Sequence, residues 1–147
     1  ITLPLFSYAH NVDVKISENI TTKICAAQQK VLSNQLKVST NMEKQFIETE
    51  KVILALENLK LTVDAGKQAR IETQIKKIKA DRDNIRKLQL NIATHFQELE
   101  KVVCNQNPAI YSELVIEIRK MQAELSIQNK LLKAFISKDL KTFVRSL

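Results

Sequence analysis

The 147-residue chain contains a single glycine, two prolines and no tryptophan. One glycine is too few for the glycine-rich loops that hold dinucleotides or phosphates, and it leaves little material for the turns of a β-sandwich or barrel. Helix-forming residues such as Ala, Leu, Lys, Glu and Gln are plentiful instead, and 44% of all residues are hydrophobic. The composition therefore predicts long helices with few interruptions in a single domain, and it indicates an architecture more clearly than an activity.

The first residues of the chain are apolar and then small, and a polar stretch follows them. Within residues 1–9 (ITLPLFSYA), Ser7 and Ala9 lie three and one positions before that polar stretch, which is the pattern that a signal peptidase reads. We therefore expect residues 1–11 to be either the remnant of a secretory signal peptide or a hydrophobic N-terminal arm. Residues 12–147 are then expected to form one helical-bundle domain.

The two cysteines, Cys25 and Cys104, also favour export. They form no CxxC motif and lie near no cluster of histidines, so a zinc site is not expected, whereas an oxidising compartment would pair them. Their midpoint falls next to Asp64, close to the lone Gly66, and positions equidistant from a hairpin turn lie opposite each other. We predict a Cys25–Cys104 disulfide, with two unpaired thiols as the alternative. Asn19 begins an Asn-Ile-Thr triplet, a glycosylation site if the source is eukaryotic and secretory.

Apolar residues recur every three or four positions over three long segments, which is helical spacing. The first segment runs from about Val12 to Val63, and Gly66 marks a turn where that helix could end with a left-handed residue. The second has a heptad seam, and the third begins at Pro108, which suits the first position of a helix. A short terminal helix is expected after residues 137–139. The residues expected in the core are Ile20, Ile24, Ala27, Val31, Met42, Phe46, Ile53, Leu56, Val63, Ile71, Ile75, Ile78, Ile85, Ile92, Phe96, Leu99, Val103, Tyr111, Leu114, Ile118, Met121, Leu125, Leu132 and Phe135.

These segments predict an all-α fold, an elongated up-down-up bundle in which a long antiparallel helical hairpin is joined by a third, returning helix. Asn107 is expected to cap the third helix. Arg82 and Gln89 interrupt the seam of the second helix, and the sequence leaves open whether they face another chain. The oligomeric state is open for the same reason.

The chain offers no convergent set of catalytic residues. His10 and His95 lie far apart in sequence, and neither has a histidine or cysteine at helical spacing, so no metal or cofactor is expected. The acidic pairs Glu48/Glu50 and Glu98/Glu100 are two residues apart on helices, so the members of each pair point to different faces. We predict that the protein is not an enzyme.

Positive charge is concentrated in two segments. Residues 67–87 contain eight basic and three acidic residues, a net charge of +5, and residues 130–145 contain five and one, a net charge of +4. In an up-down-up bundle both segments fall at one end, which we call the basic pole. Its exposed cations are expected to be Lys67, Arg70, Lys76, Lys77, Lys79, Arg86, Lys87, Lys138, Lys141 and Arg145. The alternative is an ordinary lysine-rich, solvated surface.

The expected function is that of an exported, non-catalytic protein that binds a protein partner, and the basic pole favours an acidic one. The alternative is an amphipathic helical protein that binds anionic membrane surfaces. Nucleic acid is not an expected partner, because no aromatic residues are interleaved with the basic segments as a stacking platform.

Overall fold

The computed structural model describes residues 20–30, 32 and 35–147, and of residues 35–41 it describes the backbone only. The proposed signal remnant or arm, His10, Val31 and the Asn19 sequon lie outside these residues. The described part of the chain is helical apart from short turns and contains no β-strand, as the composition predicts.

Long helices make up the described chain. Residues 20–30 form α1, and the later elements are α2 (Gln35–Lys60), α3 (Ala65–Glu100), α4 (Pro108–Ala134), a π-helix (Phe135–Asp139) and α5 (Leu140–Arg145). The short terminal helix is therefore present, but it follows α4 through the π-helix rather than after a break. None of the helices among the described residues is long and apolar enough to cross a membrane.

The turn between α2 and α3 differs from the prediction made for Gly66. Asp64 is the N-cap of α3, and its carboxylate accepts a hydrogen bond of 2.9 Å from the backbone N–H of Lys67. Gly66 is the second residue of α3, and no described residue has a positive φ. The prediction that Gly66 ends the first helix was wrong, because the Asp64 side chain satisfies the first turn of α3 and starts that helix before the glycine.

The turn between α3 and α4 follows the prediction more closely. α4 begins at Pro108, and Asn107 occupies the N-cap position, although its side chain makes no capping hydrogen bond. The carbonyl of Val103 instead accepts backbone hydrogen bonds from Gln106 and Asn107, at 3.0 and 2.9 Å. Backbone bonds therefore hold this turn, and the proline supplies the helix start.

The core lies where α3 packs against both α2 and α4. Six apolar residues of α3 are buried, and they are the isoleucines and the leucine of the predicted seam: Ile71, Ile75, Ile78, Ile85, Ile92 and Leu99. From α2 the core takes Met42, Phe46, Ile53 and Leu56, and from α4 it takes Tyr111, Val115, Ile118, Leu125 and Leu132. Leu114, Met121 and Phe135 are only partly buried and pack against this core.

Several residues expected in the core lie on the surface. Ile20, Ile24 and Val103 are about half exposed. Among the described residues of α1 only Cys25 is buried, and it is bonded to Cys104. Cys104 itself lies four residues beyond Glu100, the last residue of α3. The residues that precede Cys25 therefore have no turn of α3 to pack against.

Candidate functional site

The two basic segments lie next to each other in the structure. The guanidinium of Arg70 on α3 is 5.4 Å from the centre of the Phe143 ring on α5, and it donates a hydrogen bond of 3.4 Å to the Ser146 hydroxyl. Further along α3, the ammonium of Lys77 is 4.5 Å from the centre of the Phe135 ring in the π-helix. Such cation–π contacts stabilise by about 0.5–1 kcal/mol at exposed sites, so they help to hold the C-terminal segment against α3.

Some cations of the basic pole are neutralised within the molecule. Lys77 forms an ion pair with Asp81 at 3.0 Å, Lys79 lies 4.0 Å from Glu57, and Arg86 pairs with Glu43 at 2.9 Å. These three residues were expected to be available for binding, but their charge serves contacts along α3 and across to α2. The Lys77–Asp81 pair has the four-residue spacing that a sequence shows, but the acids that pair with Lys79 and Arg86 lie on another helix, and that distance is not local information.

The other predicted cations have no acidic partner among the residues that the structure describes. On α3 these are Lys67, Arg70, Lys76 and Lys87. On the π-helix and α5 they are Lys138, Lys141 and Arg145, all exposed, with the buried Leu140 on the inner side of α5. Apart from Lys87, which lies further along α3, these unpaired cations lie where the first part of α3 meets the C-terminal segment.

An ion pair lies between the end of α2 and the start of α3. The ammonium of Lys60 is 2.8 Å from a carboxylate oxygen of Glu72 and 3.6 Å from one of Glu57. The hydrogen bond to Glu72 raises the pKa of Lys60, and the same bond lowers the pKa of Glu72. Both charged forms are therefore favoured in the folded chain.

Arg82 and Gln89, the polar positions of the α3 seam, find partners within this chain. Arg82 forms an ion pair with Glu50 of α2, and Gln89 accepts a hydrogen bond of 3.5 Å from Arg86. Arg86 also stacks on Phe46, with its guanidinium carbon 4.0 Å from the ring centre. Arg82 is thus paired by α2 and Gln89 by a neighbour on α3, so both positions have partners within this chain.

Cys25 and Cys104 form a disulfide that joins α1 to the turn between α3 and α4, with their Cα atoms 5.9 Å apart. The side-chain amide of Gln28 donates a hydrogen bond of 3.0 Å to the Ser112 hydroxyl and so links α1 to α4. An open cleft of about 490 Å³ lies beside the bridge, and Phe96 and Tyr111 are among its lining residues. Because both sulfurs are bonded, this cleft contains no free thiol.

The remaining titratable candidates stay apart. His95 is half-buried, at the boundary between the core and the surface, and its Nδ1 atom donates a hydrogen bond of 2.8 Å to the carbonyl of Asn91. Glu48, Glu98 and Glu100 are exposed. The described part of the chain contains no group of three side chains that could hold a metal ion.

One buried feature was not predicted. Gln45 of α2 is 5% exposed, and its amide nitrogen donates a hydrogen bond of 3.4 Å to the backbone carbonyl of Asn129 on α4. The side-chain oxygens of Gln45 and Asn129 are both buried without a partner, while the Thr49 hydroxyl bonds to the Gln45 carbonyl at 2.7 Å. The available signal was that Gln45 and Thr49 continue the apolar face formed by Met42 and Phe46.

Comparison with known proteins adds no family: no family model, no curated protein and no solved structure matches the chain.

Proposed function

We propose that the protein is an exported, non-catalytic helical bundle that binds an acidic protein partner through its basic pole. The observation that carries this proposal is the group of unpaired cations where the start of α3 meets α5, whereas several cations further along α3 are neutralised by neighbouring acids. Unpaired charge of one sign attracts partners of the opposite sign and speeds their association.

Contacts between helices support the up-down-up arrangement behind this proposal. Ion pairs join Lys60 to Glu72 and Glu43 to Arg86, so residue numbers fall along α2 as they rise along α3. The contacts of Arg70 with Phe143 and of Lys77 with Phe135 give the same opposite order for α3 and the C-terminal segment.

The relation of the outer helices agrees with that arrangement. The hydrogen bonds Gln28–Ser112 and Gln45–Asn129 both join residues 84 positions apart. Two parallel segments of the chain produce a constant difference in residue number, so α4 runs parallel to α1 and α2. The basic segments of α3 and α5 then share one end of the molecule, and the disulfide lies towards the other.

The disulfide supports export. Bridges of this kind persist in the oxidising compartments outside the cytosol, where thiols are not kept reduced. A signal remnant at residues 1–9 agrees with the same compartment.

The proposal is tested by binding to poly-L-glutamate as a stand-in for an acidic protein surface. Wild-type protein is expected to bind it at low ionic strength and to lose affinity as salt is added, because exposed charges are screened. The triple variant Lys138→Glu, Lys141→Glu, Arg145→Glu is expected to bind at least about tenfold more weakly, a loss of about 1.4 kcal/mol.

A matched control reverses three exposed cations outside the basic pole, Lys23→Glu, Lys101→Glu and Lys120→Glu, for the same change of net charge. Equal loss of binding in both triple variants would mean that only net charge matters and would contradict a role for the basic pole. Flotation of the wild type with phosphatidylserine vesicles, without binding to poly-L-glutamate, would instead favour the membrane-surface alternative.

A further inference from the structure

Two helices carry stripes of apolar residues that are more than half exposed. On α2 these are Ile47 and Leu54, and Leu61 follows one position beyond the end of the helix; the three are seven positions apart and 56–79% exposed. Residues at this spacing share one side of a helix, since each position turns it by about 100°. We call this set the α2 stripe.

The second stripe lies on α4, on the side opposite the core. Ile116, Ile127 and Leu131 are 52–65% exposed, and the helical repeat places them about half a turn from the buried Ile118 and Leu125. We call this set the α4 stripe. A monomeric surface has scattered apolar residues, but large ones aligned along a helix face are typical of binding surfaces.

Charged residues flank both stripes, and the acidic and basic sides are exchanged between α2 and α4. At about 100° per residue, Lys44 and Lys51 lie along one side of the α2 stripe, and Glu43, Glu50 and Glu57 lie along the other. The side chains of these three glutamates contact cations of this chain but remain 39–58% exposed.

On α4 the order of the charges is reversed. Glu113, Glu117 and Glu124 lie on the side of the stripe that corresponds to the lysines of α2, and Arg119 and Lys130 lie on the side that corresponds to its glutamates. Lys120 lies in line with the stripe itself, between Ile116 and Ile127. When two helices face each other in antiparallel orientation, corresponding sides meet. Each acidic side would then meet a basic one.

We propose that the α2 stripe of one copy packs against the α4 stripe of a second copy, with the two helices antiparallel. One register places Leu61 beside Ile116 of the second copy, Lys51 beside its Glu124, and Glu57 beside its Arg119. Apolar contacts and opposite charges therefore coincide in the same alignment, which is the combination that specifies a helix partner.

The charge of the whole molecule agrees with this orientation. Leu61 follows α2 at the end where α3 begins and the basic pole lies, whereas Ile116 is near the start of α4, towards the disulfide. The antiparallel contact thus puts the basic pole of one copy beside the opposite end of the next, and the like-charged poles stay apart.

Because the two stripes differ, a contacting pair still has a free α4 stripe on the first copy and a free α2 stripe on the second. A contact of this heterologous kind adds copies in an open series unless a ring closes. A single pair of helix faces is small beside the roughly 1,200–2,000 Å² of a stable interface, so assembly is expected to depend strongly on protein concentration.

Sedimentation velocity over a range of concentrations tests the proposal. Wild-type protein is expected to form a growing series of species, whereas Leu54→Glu and Ile127→Glu are each expected to raise the dissociation constant at least about tenfold, since a carboxylate would be buried against an apolar face. The matched control is Leu90→Glu, a change at an exposed leucine of α3 that belongs to neither stripe and should leave assembly unchanged. Circular dichroism checks that each variant remains folded.

Mixing the two variants gives the decisive result. Leu54→Glu retains an intact α4 stripe and Ile127→Glu an intact α2 stripe, so an equimolar mixture is expected to form a dimer and nothing larger. A mixture that stays monomeric would show that the stripes do not meet and would overturn the proposal. The proposal would also be overturned if the wild type remained monomeric at every concentration, or if Leu90→Glu weakened assembly as much as the two stripe variants do.

A charge exchange tests the register. Glu124→Lys is expected to weaken assembly, and the added change Lys51→Glu is expected to restore it by re-forming the pair in the opposite sense. Failure of the second change to restore assembly would contradict the antiparallel alignment. Binding to poly-L-glutamate is unaffected by Leu54→Glu and Ile127→Glu if the two proposals are independent, so either can fail alone.

Discussion

Removal of the Cys25–Cys104 disulfide is expected to destabilise the protein about as much as the most damaging truncations in its core. The bridge joins residues 79 positions apart. In the chain-entropy model a loop of that length raises the free energy of unfolding by about 4.5 kcal/mol, because the cross-link restricts the unfolded chain. Truncation of a buried leucine costs about 2–5 kcal/mol, so the bridge ranks at the upper end of such effects.

The perturbation is the double variant Cys25→Ala, Cys104→Ala, together with reduction of the wild type by dithiothreitol. Urea unfolding followed by circular dichroism measures the free energy of unfolding in each case. Reduced wild type and the double variant are expected to agree closely, since both cysteines are buried and small apolar replacements leave no polar group unpaired. The reductant itself is controlled by adding it to the double variant, where it should change nothing.

Hydrogen exchange locates the effect. Besides the bridge, the contacts between α1 and the rest of the chain include the Gln28–Ser112 hydrogen bond and the walls of the cleft. Amides of residues 20–30 should therefore lose protection first when the bridge is reduced. A loss of stability below about 1 kcal/mol, with unchanged exchange in α1, would refute the argument that this bridge closes a long loop and retains α1.

Three further predictions concern single residues. Gly66→Ala is expected to raise the free energy of unfolding by about 0.5–1 kcal/mol in urea titrations, because Gly66 is helical with no positive φ; a loss would indicate the left-handed turn first expected. Gln45→Leu is expected to stabilise by about 1 kcal/mol, since it removes a buried oxygen without a partner, and a loss of stability would point to a water or polar partner between Gln45 and Asn129. The hydrogen bond from Lys60 lowers the pKa of Glu72, so the stability that this bond supplies is present above the ordinary pKa of glutamate and is lost as pH falls through the lowered pKa. Glu72→Gln should therefore be less stable than wild type at pH 7 and should lose less stability on acidification. Parallel pH profiles of the free energy of unfolding would contradict this.

The helices themselves could be predicted from the sequence because helix formation is local. The three- and four-residue spacing of isoleucines identified the buried face of α3, and Asn107-Pro108 marked the start of α4 at the correct residue. The turn after α2 was placed slightly too late, since glycine was given more weight than the capping carboxylate of Asp64. A helix N-cap and a helix C-cap compete for the same few residues, and periodicity does not decide between them.

The π-helix illustrates a feature that local patterns missed. Polar residues at 137–139 suggested a break, but the backbone continues through a wider turn, and Phe135 and Phe143 stack on Lys77 and Arg70 of α3. A π-helix inserts an extra residue into the helical repeat and rotates the next helical turns about the axis. Its position depends on packing against α3, and the C-terminal sequence alone does not contain that information.

By itself the sequence determined the helical class, the long apolar seam of α3 and the pairing of Cys25 with Cys104, because these depend on short-range periodicity and on equal distances along a hairpin. Only the tertiary structure decided which apolar residues are covered and which cations are neutralised. Ile24 and Ile53 were both expected in the core from their spacing, yet Ile24 is 47% exposed and Ile53 is buried. The physical reason is that burial and ion pairing depend on distances between helices, and those are set when the helices pack.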